Sequence, residues 1–590
     1  MNKNTNRFQI LTNGKMRSYV TPSGRGGLFY DWIAMTRFSE TSPEACGPMI
    51  YLRERSKWAL ATRGDSLEDL DIKCEVGIAP DTDVEIRKIT LTNHDDTMRE
   101  IELTTYAEIA LNHPLGDSGH PAFSKLFVQT SVTAGVPTLL ARRRPRGQNE
   151  NWPWMAQTLI TLGLERSWET NRATFIGRGR TALDPQAMDK PGALSCKTGN
   201  VLDPVMSWRC KVALGPEESK VVWLVTAVAP DEKSVMEMIT NCQKVNTAES
   251  LLDEARAAEI ANLAKLKINQ DTAARYETLA AKMLAGRKYR QVPLSENGSK
   301  ILHLFPLSWE EIRVVAAAGL MSAGTQDVIT ALPFWNSLGL KVRLFVMDTI
   351  GATSTLPENV AIVNPTSFTA DELEWWYASA QLVVGAEISP AIISDKKQLP
   401  YATPTPPDYA VKLDEKLQCF NGYGGFSADG REYVIPMSLK NGRLHLPPMP
   451  WVNVLANPNF GCIVSDRGAG YTWSRNSQAN RLTSWSNDPI SDPHSEAFYM
   501  LDEDTGELWS PLPGPCPPQS AFIVRHGFGR TRFISNIGSL SQEVEILVPP
   551  EDSIKLVSVR LKNNGTAPRN LVFSSYQRLL LCSAPDRHHA

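Results

Sequence analysis

The sequence contains no apolar run approaching the roughly 20 residues that a membrane-crossing helix needs. Its longest runs, such as Val314–Met321, fall far short. The nine cysteines (46, 74, 196, 210, 242, 419, 462, 516 and 582) include no CxxC pair. That spacing argues against a structural zinc site or a disulfide scaffold and fits a reducing compartment. The opening residues, MNKNTNRFQILTNGK, lack the apolar stretch of a secretory leader. A cytoplasmic location is therefore expected, and the sequons at Asn297 and Asn564 carry no weight. Charge imbalance is also missing. A net charge of −3 gives no electrostatic reason to expect nucleic acid or an anionic membrane as a partner.

What is present is ordinary globular composition, 42% hydrophobic and 21% charged, in a chain of 590 residues. That length implies several domains. Short apolar segments recur between turn signals through the first 230 residues: Ser18–Thr21, Met49–Leu52, Val84–Thr92, Ile101–Ile109, Leu126–Thr130, Met155–Thr161 and Val221–Ala227. Such spacing without helices between predicts a large antiparallel sandwich.

An internal repeat organises the chain. PDTDVEIRKITLTNHDDTMREIELTTY (Pro80–Tyr106) aligns without a gap on PEDSIKLVSVRLKNNGTAPRNLVFSSY (Pro550–Tyr576), a constant offset of 470. The identities include Leu91/Leu561, Asn93/Asn563, Arg99/Arg569 and Tyr106/Tyr576. Further upstream, YVTPSGRG from Tyr19 matches IVSDRGAG from Ile463. The reading is mainly β: tandem β-sandwich modules at 1–245 and 418–590, the second holding only the amino-terminal part of the design. Between them come a helical linker (246–300), a small α/β insert (301–389) and a proline-rich linker (390–417). Asn246-Thr-Ala-Glu249 reads as a box-like helix start, Gly286 as a left-handed cap for Thr272–Ala285, and Ser308–Glu311 and Thr369–Glu372 as capping boxes.

Chemistry concentrates in Asn457–Asp488. There Trp473, Arg475, Asn476, Asn480, Arg481, Trp485, Asn487 and Asp488 fall within sixteen positions. Indole faces stack on the apolar C–H faces of sugar rings, while amide, guanidinium and carboxylate groups bind ring hydroxyls. The alternative is that the tryptophans are core residues of a sheet and the polar residues build turns. The first copy has no such cluster: it reads GLFYDWIAMTRF where the second reads YTWSRNSQANRLTSW. It also lacks a counterpart of RHGFGRTRF (Arg525–Phe533).

Three strings, NGYGGFSADGREYVI (Asn421–Ile435), GAGYTWSRNSQANRLTSWSNDPISDP and RHGFGRTRF, resemble the β-domain of glycoside hydrolase family 94, formerly glycosyltransferase family 36. Within that family the likeness is to the carboxy-terminal region of cyclic β-1,2-glucan synthases. HPAFSKLF, LLARRRPR, FIGRGR and VLDPVMSWR in the first copy resemble the same domain. The resemblance implies a galactose-mutarotase-like supersandwich fold and a β-glucan oligosaccharide as partner. It implies inverting phosphorolysis or transfer in the intact enzyme, with inorganic phosphate as co-substrate and no cofactor. The general acid and phosphate site would lie in an (α/α)₆ barrel that follows the β-domain. Only fourteen residues follow Tyr576, so no catalytic residue is assigned and the chain is expected to lack that barrel. Expected partners are the barrel or full-length synthase, at the cytoplasmic face of the inner membrane, and a second copy of the chain.

Other motifs have plainer readings. Asp504-Thr-Gly-Glu507 reads as a hairpin turn rather than a catalytic pair, and Arg142–Arg146 as a solvated loop. Gly177-Arg-Gly179 lacks the setting of a phosphate loop. His113, Asp117 and His120 read as loop residues rather than metal ligands.

Overall fold

The chain divides into two compact units. One comprises Met1–Ile176, Thr181–Ile392 and Arg587–Ala590, the other Gly177–Arg180 and Ile393–Asp586. The computed structural model describes residues 8–21, 25–37, 47–135, 137–148, 150–161, 165–244, 246–285, 311–349, 356–385 and 408–582. Gly286, Asn297, residues 308–310 and 390–407, to which a cap, a sequon, a capping box and a linker were assigned, lie outside the described residues.

The first unit begins with β1 (Gln9–Thr12), β2 (Met16–Val20), β3 (Gly26–Tyr30), β4 (Ile33–Thr36), β5 (Met49–Glu54), β6 (Lys57–Leu60), β7 (Leu70–Ile78), β8 (Val84–Asn93) and β9 (Arg99–Asn112). It continues with β10 (Val128–Val132), β11 (Leu139–Arg143), β12 (Trp154–Ile160), β13 (Arg166–Asn171), β14 (Pro204–Leu214) and β15 (Ser219–Ala229). One sheet runs β1-β2-β3-β4-β9-β14-β13, with β5 and β6 attached through β9; the other runs β10-β11-β12-β15-β8-β7. Strand alternation explains the core. Ile89 and Leu91 of β8 and Ile101 and Leu103 of β9 share one buried cluster with Trp208 of β14. Val84 and Ile86, on the other face of β8, pack with Val235 and Ile239 of the helix Glu232–Cys242. Glu85 and Arg87 are buried as a bidentate pair.

The predicted box at Asn246 does not form. Asn246 adopts a left-handed φ of 64° and makes no side-chain cap bond, because that backbone is not the extended one from which an N-cap reaches back. The helix nevertheless runs Thr247–Leu266 and is followed by Gln270–Ala285. The α/β insert is a four-stranded parallel sheet built from β16 (Ile312–Ala316), β17 (Val342–Met347), β18 (Val360–Val363) and β19 (Leu382–Val384), in the order β18-β17-β16-β19. Val314 and Leu344 face one buried cluster, Val315 and Phe345 another. β16 is buried along its whole length, and a strand covered on both faces is continuously apolar rather than alternating, so it leaves no period-two signal; β19, with Val383 exposed, is only three residues long and too short to show one. The box at Thr369 forms in full: Glu372 N donates to Thr369 Oγ1 (3.3 Å) and Thr369 N to Glu372 Oε2 (2.8 Å).

The second unit holds β20 (Gly425–Phe426), β21 (Glu432–Met437), β22 (Leu439–Lys440), β23 (Arg443–Leu444), β24 (Val452–Asn457), β25 (Phe460–Ser465), β26 (Gly470–Ser474) and β27 (Arg481–Thr483). After these come β28 (Glu496–Asp502), β29 (Leu508–Trp509), β30 (Phe522–Gly527), β31 (Arg530–Ile537), β32 (Leu540–Leu547), β33 (Leu556–Asn563), β34 (Leu571–Gln577) and β35 (Leu579–Cys582). Its main sheets run β20-β21-β30-β31-β32-β33 and β24-β25-β26-β27-β35, beside a smaller β29-β28-β34. The predicted turn at Asp504 joins β28 to β29.

Strand registers recur between the units. Leu70 pairs with Asn93 in β7–β8, and Leu540 with Asn563 in β32–β33, the same offset of 470 at both partners. Val20 pairs with Gly26 and Val464 with Gly470; Gln9 pairs with Val20 and Asn453 with Val464. Asn112 and Ile109 of β9 meet Ala34 and Thr36, while Cys582 and Leu579 meet Arg481 and Thr483. Phe29 and Ala34 are paired in the first unit as Trp473 and Arg481 are in the second.

Candidate functional site

Asn457–Asp488 folds as three neighbouring strands and their loops. Alternation along β26 puts Tyr471 and Trp473 on one face and Thr472 on the other. Trp473 pairs with Gly461 of β25, and its indole fills the space above that glycine. A Cβ on Gly461 would lie 2.4 Å from the ring, so glycine alone fits there. Trp473 retains 9% exposure. Tyr471 is the hub: its ring stacks on Trp485 with centroids 4.8 Å apart and planes 13° from parallel. Trp473 lies 5.2 Å away, tilted by 40°. The Arg481 guanidinium sits 5.4 Å from the centre of the Tyr471 ring, a cation–π distance. Arg481 Nε is buried and has no acceptor among the described residues. On the opposite face, Thr472 and Thr483 donate to Glu496, which also meets Lys555. Burial pushes that carboxyl up, but Lys555 and the threonine hydroxyls outweigh it and hold the group below the ordinary value.

The loop joining β26 to β27 carries three more of the predicted residues, all exposed. Arg475 takes a left-handed φ of 60° and donates its N–H to Asn459 O. The side-chain Oδ1 of Asn476 accepts from Gln478 N and Ala479 N (2.9 and 2.8 Å), and Asn480 N closes the turn by donating to the Asn476 main-chain carbonyl. Asn487 and Asp488 belong to the next turn. The Asp488 carboxylate accepts from Ile490 N, Ser491 N and Ser491 Oγ (2.9, 3.3 and 2.9 Å), so these bonds pin the loop. The fold thus gathers Trp473, Arg481 and Trp485 around Tyr471 and sets Arg475, Asn476 and Asn480 on the adjoining loop. Tyr471 was missed in the sequence; its place two residues before Trp473 on a strand is the signal that identifies it.

A buried charged cluster lies at the base of the same segment, wholly within the second unit. Arg178 Nη2 donates to Asp466 Oδ1 and Asp492 Oδ2 (3.0 and 3.2 Å), and Ser465 Oγ donates to Asp492 Oδ2 (2.8 Å). Asp492 is therefore an ion-pair partner of Gly177-Arg-Gly179. Burial pushes the Asp466 carboxyl up to about 6, against the pull of Arg178. His494, whose Nε2 bonds to the Arg467 carbonyl (3.0 Å), is driven down to about 4, chiefly by burial.

Elsewhere, both Asp117 oxygens receive Arg37 (2.7 and 2.8 Å). No group of three or more His, Cys, Asp or Glu side chains among the described residues is placed to hold a metal. The expected solvated loop at Arg142–Arg146 needs correcting. Arg142 and Arg143 lie in β11, and Arg143 is buried against the rings of Phe127 and Trp152 (5.1 and 5.2 Å) while donating to Ser124 O. Aromatic faces and a carbonyl replace water around that cation.

These features define a mainly β protein of the supersandwich type. The family model described as "Glycosyl hydrolase 94, supersandwich domain" matches residues 65–245 and 431–590, more than half of the sequence, and the chain belongs to that family. It is 27% identical to the cyclic beta-(1,2)-glucan synthase NdvB of Rhizobium meliloti (strain 1021), over 97% of this chain and 23% of that protein. It is 26% identical to an N,N'-diacetylchitobiose phosphorylase of Vibrio furnissii, over 26% of this chain and 19% of that one. The chain therefore spans less than a quarter of the length of either relative. A solved structure described as "Putative kojibiose phosphorylase from human microbiome" is 8% identical over 42% of this chain and 34% of its own, with a TM-score of 0.26, too low to bear on function.

Proposed function

We propose that this chain is the carbohydrate-binding, non-catalytic portion of a family 94 protein acting in β-glucan metabolism, of the cyclic β-1,2-glucan synthase kind. The observation that carries this reading is the Tyr471–Trp485 stack capped by Arg481, with Arg475, Asn476 and Asn480 exposed beside it. Tyr471 is buried and backs the half-buried Trp485, whose indole would take the C–H face of a glucosyl ring, while the guanidinium and amide groups take its hydroxyls. In a longer protein the general acid and the phosphate would be supplied by a barrel against which this domain closes. The setting would be the cytoplasmic face of the inner membrane. Phosphorolysis of the β-glucosidic bond would then proceed with inversion, phosphate being the attacking group.

The first unit has a different role in this reading. Phe29 and Ala34 stand where the second unit has Trp473 and Arg481, so the guanidinium is absent from that position. We assign residues 1–230 to holding an assembly together, without sugar binding.

Two measurements test the proposal. Titration with β-1,2-gluco-oligosaccharides should show millimolar binding, about −4 kcal/mol. Arg481→Ala should weaken it while leaving the melting temperature unchanged. Unaltered affinity with a lowered melting temperature would make Arg481 a pin for the loop instead. The purified chain should release no glucose 1-phosphate from the same oligosaccharides and phosphate; release would place the acid within these 590 residues.

A further inference from the structure

NGYGGFSADGREYVI and RHGFGRTRF lie apart from the Tyr471 cluster, yet the fold brings their residues to one place. A cleft of about 620 Å³ opens between the start of β21, the segment Pro450–Asn453 entering β24, and the tip of the β30–β31 hairpin. That volume lies within the roughly 300–1,000 Å³ of small-molecule sites. Trp473 aligns with Ala456 through Gly461, whereas the cleft is lined by Trp451–Asn453. At about 3.3 Å per residue the two sites stand roughly 15 Å apart along the strands.

The walls are aromatic. Tyr433 and Trp451 meet edge to face at 5.6 Å, and Phe426 meets Tyr433 in the same way at 5.1 Å. Phe528 forms the hairpin tip beside Gly529, whose φ of +71° makes the two-residue turn possible, and is 91% exposed. A bare phenyl ring held on a rigid tip is unfavourable in water unless something covers it.

The polar lining is fixed in advance. Asn453 Nδ2 donates to Gly527 O, Arg530 O and Thr531 Oγ1 (2.8, 3.1 and 3.1 Å), tying the tip to β24. His526 Nε2 lies 3.2 Å from the Trp451 carbonyl, which can only accept, so this nitrogen carries the proton. Nδ1 then accepts from Thr531 Oγ1 at 3.0 Å. The Glu432 carboxylate is held by Arg525 (3.0 Å) and Arg532 (2.7 Å). Glu415 also meets Arg525 (2.7 Å), so two carboxylates face two guanidiniums and these ionic groups balance. Arg431 is exposed, and its guanidinium makes no hydrogen bond or ion pair among the described residues.

Aromatic faces, a charge-balanced lining and one available guanidinium suit a neutral, amphipathic ring better than a metal ion, a phosphate or a charged peptide. We infer that this cleft is a second carbohydrate site, binding glucosyl units of a neutral β-glucan on Trp451, Tyr433 and Phe528 with Arg431 on the ring hydroxyls. The inference rests on the glucan reading above for its substrate class, but not on the Tyr471 cluster. The β30–β31 hairpin that completes the cleft is the segment without a counterpart in the first copy, so the site belongs to the second unit alone.

The test uses the 590-residue chain and the β-1,2-linked glucose disaccharide, followed by protein NMR and calorimetry. Phe528→Ala and Arg431→Ala alter exposed side chains and should leave thermal unfolding unchanged. Each should weaken one class of binding about five- to tenfold, in keeping with one stacking or charge-assisted contact. Arg481→Ala should leave that class intact, and shifts from the cleft residues should persist in it. Loss of binding in Arg481→Ala with Phe528→Ala unaffected overturns the cleft and keeps the cluster. The reverse keeps the cleft and overturns the cluster. A wild-type chain with no saturable response overturns the cleft outright. The same follows if Phe528→Ala abolishes self-association in sedimentation without altering any sugar response, since the tip would then be a contact between copies.

Discussion

The strand–turn–strand units β8–β9 and β33–β34, whose two strands enter different sheets, are built on one pattern and meet opposite fates. Each is paired on its leading side in the same register, Leu70–Asn93 and Leu540–Asn563. Each carries the same ion pair: Arg99 reaches Glu54 on β5 (2.6 Å), and Arg569 reaches Asp502 on β28 (2.5 Å). Asn93 and Asn563 each donate to the carbonyl four residues on, Thr97 and Ala567 (2.8 and 2.7 Å). Yet Leu91, Leu103 and Tyr106 are buried, whereas Leu561, Phe573 and Tyr576 at the matching positions are 37%, 46% and 51% exposed. The difference is in the neighbours. β8 is followed in its sheet by β15 and β9 by β14. Among the described residues, β33 pairs only with β32 and β34 only with β28. Local sequence sets the strands, the turn between them and the register with the preceding strand; burial is set by what lies beside them.

The largest expected difference comes from truncating matched core positions. Leu103→Ala should cost about 2–5 kcal/mol, because it opens a cavity in a packed interior, and Phe573→Ala under about 1 kcal/mol. Denaturant midpoints would measure both, and equal losses would break the comparison.

Acid should separate the units next. In the second unit His494 and His526 are buried and held near pKa 4, against 6.5 for the free group. The unfolded chain takes up those protons first, so stability is present above pH 6.5 and is lost as pH falls toward 4. At about 1.4 kcal/mol per pH unit each histidine contributes roughly 3 kcal/mol. Asp466, raised to about 6, works the other way: the fold gains as pH falls from 6 toward 4. Two groups against one leaves a net loss on the order of 3 kcal/mol, readable as a falling melting temperature of the second unit between pH 6.5 and 4.

The matched asparagines give a smaller contrast. Asn93 Nδ2 also lies near the Leu214 and Gly215 carbonyls of the β14–β15 turn (3.5 and 2.9 Å). Asn93→Ala leaves those groups unsatisfied in the interior and should cost about 1–3 kcal/mol; Asn563→Ala should stay at or below about 1 kcal/mol. Equal costs by urea unfolding would show that the asparagine acts only through its own turn. The smallest change in stability, within about 0.5 kcal/mol, is expected of Leu561→Lys on the exposed strand. It should nonetheless lower self-association in sedimentation velocity, since a lysine on an open edge disfavours strand-to-strand pairing.

Legibility followed the same division. The Pro80–Tyr106 and Pro550–Tyr576 strand–turn–strand units, the Thr369 box and the turn at Asp504 were readable because each depends on a few consecutive residues. Asn246 failed as a cap because its backbone turns left-handed between two packed helices. The parallel order of β16–β19 was invisible, since β16 is buried on both faces and loses its alternation while β19 is only three residues long. Within the candidate site the sequence named Trp473, Arg481 and Trp485. It did not show that Tyr471 joins them, or that Asp488 closes a turn.

The sequence by itself determined the strand pattern, the matched registers, the family strings and the crowding of aromatic and polar residues near position 480. All of these follow from backbone periodicity and short-range turn chemistry. Tertiary structure alone decided that Arg178 would neutralise Asp466, 288 positions away, and that NGYGGFSADGREYVI and RHGFGRTRF would wall one cleft. It also decided that two strand–turn–strand units of one design would be buried in one unit and open in the other. Ion pairing, cavity shape and burial depend on groups distant along the chain, whose approach only the assembled sheets fix.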